Sequence, residues 1–100
     1  MSRSLVRIVS RVRELAIMGT VHFTLKALRE LAILHLDQRD ACEALAALRA
    51  ADFVERFLSA VTGEWMYVFK PAVGGYVLYV KLILRSECLV VSFHEDEEDV

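Results

Sequence analysis

The 100-residue sequence contains only two cysteines, one proline and four glycines. Two cysteines are too few for a disulfide framework, and neither has metal-site spacing, so we expect the free thiols typical of a cytoplasmic protein. No apolar run approaches the roughly 18 residues that a membrane-spanning helix requires. Because proline and glycine are so scarce, the chain contains no obvious linker, which indicates one domain with a single core.

Charge is unevenly distributed along the chain. The sequence holds 12 basic and 14 acidic residues, for a net charge of −2, yet residues 95–99, "EDEED", are all acidic. Residues 1–94 are therefore mildly basic, and we predict that they form the domain, with residues 95–100 as a solvated acidic tail. Arg3, Arg7 and Arg11 form a stripe on the first predicted helix, which we interpret as a solvated face rather than a phosphate- or membrane-binding one.

Helical periodicity dominates the first half of the sequence and strand periodicity the second. Helices are predicted over residues 4–18, after an N-cap at Thr24, over residues 38–50 and over residues 52–59, where Asp52 and Glu55 resemble a capping box. An extended segment at residues 20–23 precedes the second helix. Strands are predicted over residues 64–70, 76–85 and 88–94. This order predicts an α+β fold, in which N-terminal helices pack on one face of a C-terminal antiparallel sheet.

The register of the last two strands determines which side chains share a face, because a slip of one residue moves every side chain to the other face. A two-residue turn at Ser86 and Glu87 makes one face uniformly apolar, whereas a three-residue loop would bury Ser92 and His94. The pairs that the two-residue turn predicts are Arg85 with Cys88, Lys81 with Ser92, and Tyr79 with His94. The apolar face then consists of Tyr76, Leu78, Val80, Leu82, Leu84, Leu89, Val91 and Phe93, with Trp65, Tyr67 and Phe69 from the preceding strand.

The opposite face of the predicted sheet gathers four polar side chains, Tyr79, Lys81, Ser92 and His94. A half-exposed antiparallel sheet carries polar residues on its wet face without any function. The pattern alone therefore leaves a structural and a functional interpretation open.

Several short segments then follow one another in a familiar order. They are "GTVHFTLKAL" from Gly19, "LD" from Leu36, "ADF" from Ala51, Trp65, "KP" from Lys70, "VLYVKL" from Val77 and "LVVSF" from Leu89. Their order and spacing, over nearly the whole chain, resemble the MqsR family of bacterial toxin–antitoxin ribonucleases, which have a RelE-like fold.

The resemblance implies a toxin that cleaves single-stranded mRNA without a metal or other cofactor, and that a cognate, DNA-binding antitoxin neutralises. Tyr79 and Lys81 match the family's Tyr-x-Lys strand, and His94 stands where the family has a lysine after Ser-Phe. The family's helix lysine falls on Glu55 or Arg56, of which Arg56 is chemically the better match. The resemblance thus implies Tyr79, His94, Lys81 and Arg56 as catalytic candidates.

Other positions are candidates for holding the RNA. Lys70, Arg85 and Ser92 lie around the predicted face, and Met66 occupies the position of the family's glutamine, where a hydrogen-bonding role is lost. Cleavage of this kind uses the ribose 2′-OH as the nucleophile, which requires a base, a cation for the phosphorane and an acid for the leaving oxygen. An alternative is a non-catalytic interaction module of the same fold, which Met66 and the acidic tail favour.

Overall fold

The computed structural model describes residues 3–97, except for the side chain of Arg3. The described chain contains helices α1 (Arg3–Met18), α2 (Leu25–Ile33) and α3 (Gln38–Ala46), a 3₁₀ turn (Ala50–Asp52), and strands β1 (Val21–Phe23), β2 (Phe53–Leu58), β3 (Trp65–Phe69), β4 (Ala72–Val73), β5 (Tyr76–Leu84) and β6 (Cys88–Glu95). The predicted α+β order, with helices first and the sheet last, is confirmed.

The strands form one mixed sheet in the order β1-β6-β5-β3-β2, and the short β4 pairs with β5. Strand β1, which coincides with the extended segment predicted between the helices, pairs in parallel with β6. The β2–β3, β3–β5 and β5–β6 pairs are antiparallel. Because β1 leads directly into α2, this connection brings the helix alongside the outer edge of β6.

The three helices cover one face of the sheet, and the main core lies between the two layers. Its largest fully buried side chains come from both layers; they include Val12, Leu15, Leu31, Leu45 and Leu48 from the helical half, and Phe69, Val80, Leu82, Cys88, Val90 and Phe93 from the sheet. Apolar residues three and four apart on a helix share one face, which explains how the helices reach this core. The predicted packing of helices on the leucine face is therefore confirmed.

The predicted fourth helix, residues 52–59, is wrong, because residues 53–58 form strand β2. The carboxylate of Asp52 does not cap a following helix; it accepts the backbone N–H of Arg49 at 2.9 Å and so closes the preceding turn. The phenyl rings of Phe53 and Phe69 meet edge to face, with centroids 5.7 Å apart. Pairing with β3 and this aromatic contact override the local capping signal. The third helix also ends earlier than predicted, at Ala46.

The hairpin of β5 and β6 differs from the predicted one at its turn. Leu84, not Arg85, is opposite Cys88, so three residues form the loop, and a β-bulge at Val91 then shifts the register by one. The bulge restores the predicted pairs of Lys81 with Ser92 and of Tyr79 with His94, which are confirmed. Between the turn and the bulge the faces are exchanged: Cys88 and Val90 are buried in the core in place of Leu89 and Val91, which are only partly buried. Of the other predicted core residues, Tyr76 and Trp65 are exposed.

Both charged segments highlighted by the sequence are partly described. In the arginine stripe, Arg7 is exposed and Arg11 pairs with Glu14 at 3.1 Å, as expected for a solvated helix face. The predicted tail begins inside the fold, since β6 extends to Glu95 and the Asp96 carboxylate lies 3.3 Å from Lys70 Nζ. Residues 98–100 lie outside the described part of the chain.

Candidate active site

Tyr79 and His94 stand side by side on the sheet face opposite the helices. Strand pairing places them directly opposite each other, and their rings stack with centroids 5.0 Å apart and planes inclined by 10°. A tyrosine on a central strand therefore restricts the orientation of a histidine near the end of the neighbouring strand.

The hydrogen bonds of His94 determine its tautomer. Nδ1 lies 2.8 Å from the Glu95 carbonyl oxygen, and because a carbonyl only accepts, Nδ1 carries the proton in the neutral ring. Nε2 is then an acceptor with a lone pair, and it lies 4.0 Å from Glu30 Oε2. The side chain is 33% exposed, so solutes can approach it. A neutral imidazole with one free acceptor is the form required of a general base.

Lys81 extends from β5 on the same face, opposite Ser92 of β6. Its ammonium lies 5.9 Å from the ring centroid of Phe57, within the range of a cation–π contact. Within residues 3–97, Lys81 forms no ion pair with any carboxylate. Its charge is therefore available to an anion at this face.

Lys26 and Glu30, one turn apart on α2, also reach this face, and the sequence analysis missed both. Lys26 Nζ donates to Ser92 Oγ at 3.0 Å and to Glu30 Oε2 at 3.0 Å. Glu30 Oε1 accepts the backbone N–H of Phe93 at 3.0 Å, which occupies a donor on the outer edge of β6. Their spacing of four residues indicates an ion pair, but only the parallel pairing of β1 with β6 brings α2 to this edge.

Arg56 does not join the other candidates. It is paired with Tyr67, which is paired with Leu82, so it lies on the helix side of the sheet. There its guanidinium lies 4.7 Å from the ring centroid of Trp65. Its neighbour Glu55 is on the other face, opposite Val68 and thus in line with Lys81.

Lys70 and Arg85 lie towards opposite ends of this face, and both are ion-paired. Lys70 pairs with Asp96, whose carboxylate is nearly buried, and Arg85 donates two hydrogen bonds to Glu64, at 2.8 and 2.6 Å. These hydrogen bonds lower the pKa of the Glu64 carboxyl and raise that of Arg85. Each of these charges is therefore already paired with a carboxylate and is not available to an RNA phosphate.

The middle of the face, beside Lys81, is apolar. Met66 lies between Phe57 and Ile83, so the position of the family's glutamine carries a thioether here. Val68 and Ile83 are buried although they lie outside the main core, and Ser92 is only 2% exposed. Tyr79, Lys81 and His94 therefore lie around a patch of packed apolar side chains.

Neither cysteine is suited to nucleophilic chemistry. Burial raises the pKa of the Cys88 thiol to about 12 and, less strongly, that of Cys42. A protonated thiol is a poor nucleophile.

Between residues 3 and 97, no three side chains of His, Cys, Asp or Glu are grouped so that they could hold a metal ion. None of the helices in this part of the chain has both the length and the apolar character needed to cross a bilayer.

Comparison with known proteins agrees with the sequence resemblance. A search of curated proteins found no match to the chain. A protein-family model, described as motility quorum-sensing regulator, toxin of MqsA, matches residues 6–95, which is most of the chain's length. The family resemblance is therefore confirmed, and the chain belongs to the MqsR toxin family.

Proposed function

We propose that this chain is the toxin of a toxin–antitoxin system and cleaves single-stranded mRNA, with the ribose 2′-OH as nucleophile, until an antitoxin neutralises it. Membership of a toxin family supports the toxin role and an antitoxin partner. The observation that carries the ribonuclease activity is the arrangement of His94 beside the stacked ring of Tyr79 and the ammonium of Lys81. Within residues 3–97, Nε2 of His94 accepts no hydrogen bond and Lys81 has no carboxylate partner.

In the proposed reaction, His94 Nε2 takes the proton of the 2′-OH. The 2′-oxygen then forms a bond to the adjacent phosphorus, and the bond from phosphorus to the 5′-oxygen breaks. Lys81 stabilises the negative charge that develops on the phosphorane oxygens. Water on the open face protonates the departing 5′-oxygen. The products are a 2′,3′-cyclic phosphate and a 5′-hydroxyl.

Two neighbours support His94 in this role. Stacking on Tyr79 holds the imidazole plane, and the Glu95 carbonyl keeps the proton on Nδ1. Once Nε2 has accepted a proton, the Glu30 carboxylate 4.0 Å away stabilises the imidazolium.

The test is cleavage of a single-stranded RNA pool by the purified chain in the presence of EDTA. We expect fragments with 2′,3′-cyclic phosphate ends, identified by mass spectrometry, and no cleavage of the same pool with 2′-deoxy sugars. Induced expression should also arrest growth in cells, and His94→Ala should relieve that arrest at equal protein level. Intact RNA after incubation with folded protein would contradict the proposed activity.

A second candidate is a toxin-family protein that only binds its partner. The ion pairs that occupy Lys70 and Arg85, together with the acidic end of the chain, favour this candidate because they reduce attraction to RNA. The same experiment separates the two, since a binding module leaves RNA intact and His94→Ala leaves its behaviour unchanged.

A further inference from the structure

We infer that Lys26 is a second phosphate-binding cation of the candidate site, and that its ligand is a phosphodiester of the single-stranded RNA. The inference rests on the proposed function, because it assigns a further residue to the same site. It also supplies a cation in place of Arg56, whose guanidinium lies on the other side of the sheet.

Glu30 links Lys26 to the candidate base. Glu30 Oε2 accepts from Lys26 Nζ at 3.0 Å and lies 4.0 Å from His94 Nε2, so the ammonium is close to the imidazole. Lys26 Nζ also donates to Ser92 Oγ, on the same face of the sheet. The ammonium of Lys81 extends the other way, towards Phe57 on β2, so the two cations lie on opposite sides of this face.

Lys26 has a donor left for a phosphate oxygen. An ammonium has three N–H groups, of which one is directed at Ser92 and one at Glu30. The side chain of Lys26 is 60% exposed, so an anion can reach it without a change in the fold. Arg85, by contrast, donates two hydrogen bonds to its carboxylate partner, whereas Lys26 donates only one to Glu30.

Glu30 keeps Lys26 at the sheet. Its side chain is only 17% exposed, and Oε1 is fixed by the backbone N–H of Phe93 while Oε2 accepts from Lys26. The carboxylate cancels part of the local positive charge, but Lys81 remains uncompensated within the described part of the chain. Glu30 therefore orients the Lys26 ammonium beside Ser92 and occupies only one of its N–H groups.

The experiment measures how RNA affinity depends on salt. The ligand is a pool of single-stranded 2′-O-methyl RNA, which binds but offers no 2′-OH nucleophile. Each phosphate contact contributes about 0.7 to the slope of log Kd against log salt for a single strand. We expect Lys26→Ala to lower the magnitude of this slope by about 0.7, and Lys26→Arg to retain it.

Arg39→Ala is the matched control. Arg39 also pairs with a glutamate four residues further on, Glu43, at 3.7 Å, but on helix α3. The two alanine variants lose the same charge and the same kind of ion pair, so a change of slope confined to Lys26→Ala depends on where that charge lies. The melting temperature of each variant, measured in parallel, confirms that it is folded.

The outcomes separate this inference from the proposed function. Equal slopes for the wild type, Lys26→Ala and Arg39→Ala would overturn the role of Lys26, even if the wild type cleaves ordinary RNA. A slope that falls only in Lys26→Ala would support that role, even if no cleavage is found. If the wild type neither binds the 2′-O-methyl pool nor cleaves RNA, both proposals fail.

Discussion

The imidazole of His94 lies nearly parallel to the phenol ring of Tyr79, with 5.0 Å between the centroids and 10° between the planes. The two side chains belong to neighbouring strands and are directly opposite each other, so the sheet itself sets their contact. Because an aromatic neighbour restricts rotation of the imidazole, the ring is oriented before any RNA arrives. Such preorganisation is a general requirement of acid–base catalysis.

Substitutions at Tyr79 separate the contribution of its ring from that of its hydroxyl. Tyr79→Phe keeps the ring stack, whereas Tyr79→Ala removes it, so we expect the alanine variant to lose more activity, by about tenfold in kcat relative to phenylalanine. Single-turnover cleavage of a single-stranded RNA measures the difference. Equal losses in the two variants would show that the hydroxyl carries the whole effect and the stack none.

Removal of the imidazole should abolish most of the proposed activity without unfolding the chain. General base catalysis contributes about 10²–10⁴-fold, so we expect His94→Ala and His94→Gln to lose activity in this range. The neutral imidazole should carry its proton on Nδ1, which ¹⁵N chemical shifts of the ring detect directly. A proton on Nε2 would leave no acceptor for the 2′-OH and would contradict the assigned role.

The arrangement of this site could be predicted from the sequence only because two deviations cancel. The three-residue loop after Leu84 shifts the pairing by one, and the bulge at Val91 shifts it back before Ser92 and His94. Strand periodicity correctly paired Tyr79 with His94, but it had no signal for a bulge. Between the two deviations, Cys88 and Val90 replaced the predicted core residues.

What the sequence could not provide were contacts made by distant elements. The local pattern at Asp52 predicted a helix, and only pairing with β3 shows that Arg56 points away from the site. In the same way, Lys26 and Glu30 read as an ordinary helical ion pair. They join the site because β1 pairs in parallel with β6. The paired residues Val21 and Cys88 are 67 residues apart in the sequence. Pairing over such a separation depends on packing that no local pattern records.

Thr24 should stabilise both helix α2 and the bulge. Its hydroxyl accepts the N–H of Ala27 at 3.1 Å and donates to the carbonyl of the bulged Val91 at 3.3 Å. Loss of an N-cap costs about 0.5–2 kcal/mol, and we expect Thr24→Ala to lower the free energy of unfolding near the upper end of this range. Thr24→Ser retains the hydroxyl and is the control. Urea unfolding measures both, and similar stabilities of the two variants would exclude a role for the hydroxyl.

The ion pair of Glu64 and Arg85 should make stability depend on acid pH. The pKa of Glu64 is lowered below its ordinary value of 4.5, chiefly by hydrogen bonds from Arg85. A carboxyl whose pKa is lower in the folded state stabilises the fold above its ordinary pKa, and loses that effect as the pH falls through the lowered value. We therefore expect Arg85→Ala to melt below the wild type at pH 7 and to approach it near pH 3. A difference that is the same at both pH values would contradict this linkage.

The two thiols should differ in their reactivity towards iodoacetamide. Cys88 is fully buried and its pKa is raised to about 12, while Cys42 is half-buried with a smaller rise. Alkylation requires the thiolate, so we expect one modification of the native chain at pH 8, at Cys42, as measured by mass spectrometry. In Cys42→Ser, modification of Cys88 should require opening of the core and should accelerate with urea, as unfolding does. Rapid modification of Cys88 without urea would show that the end of β6 opens independently of the rest of the fold.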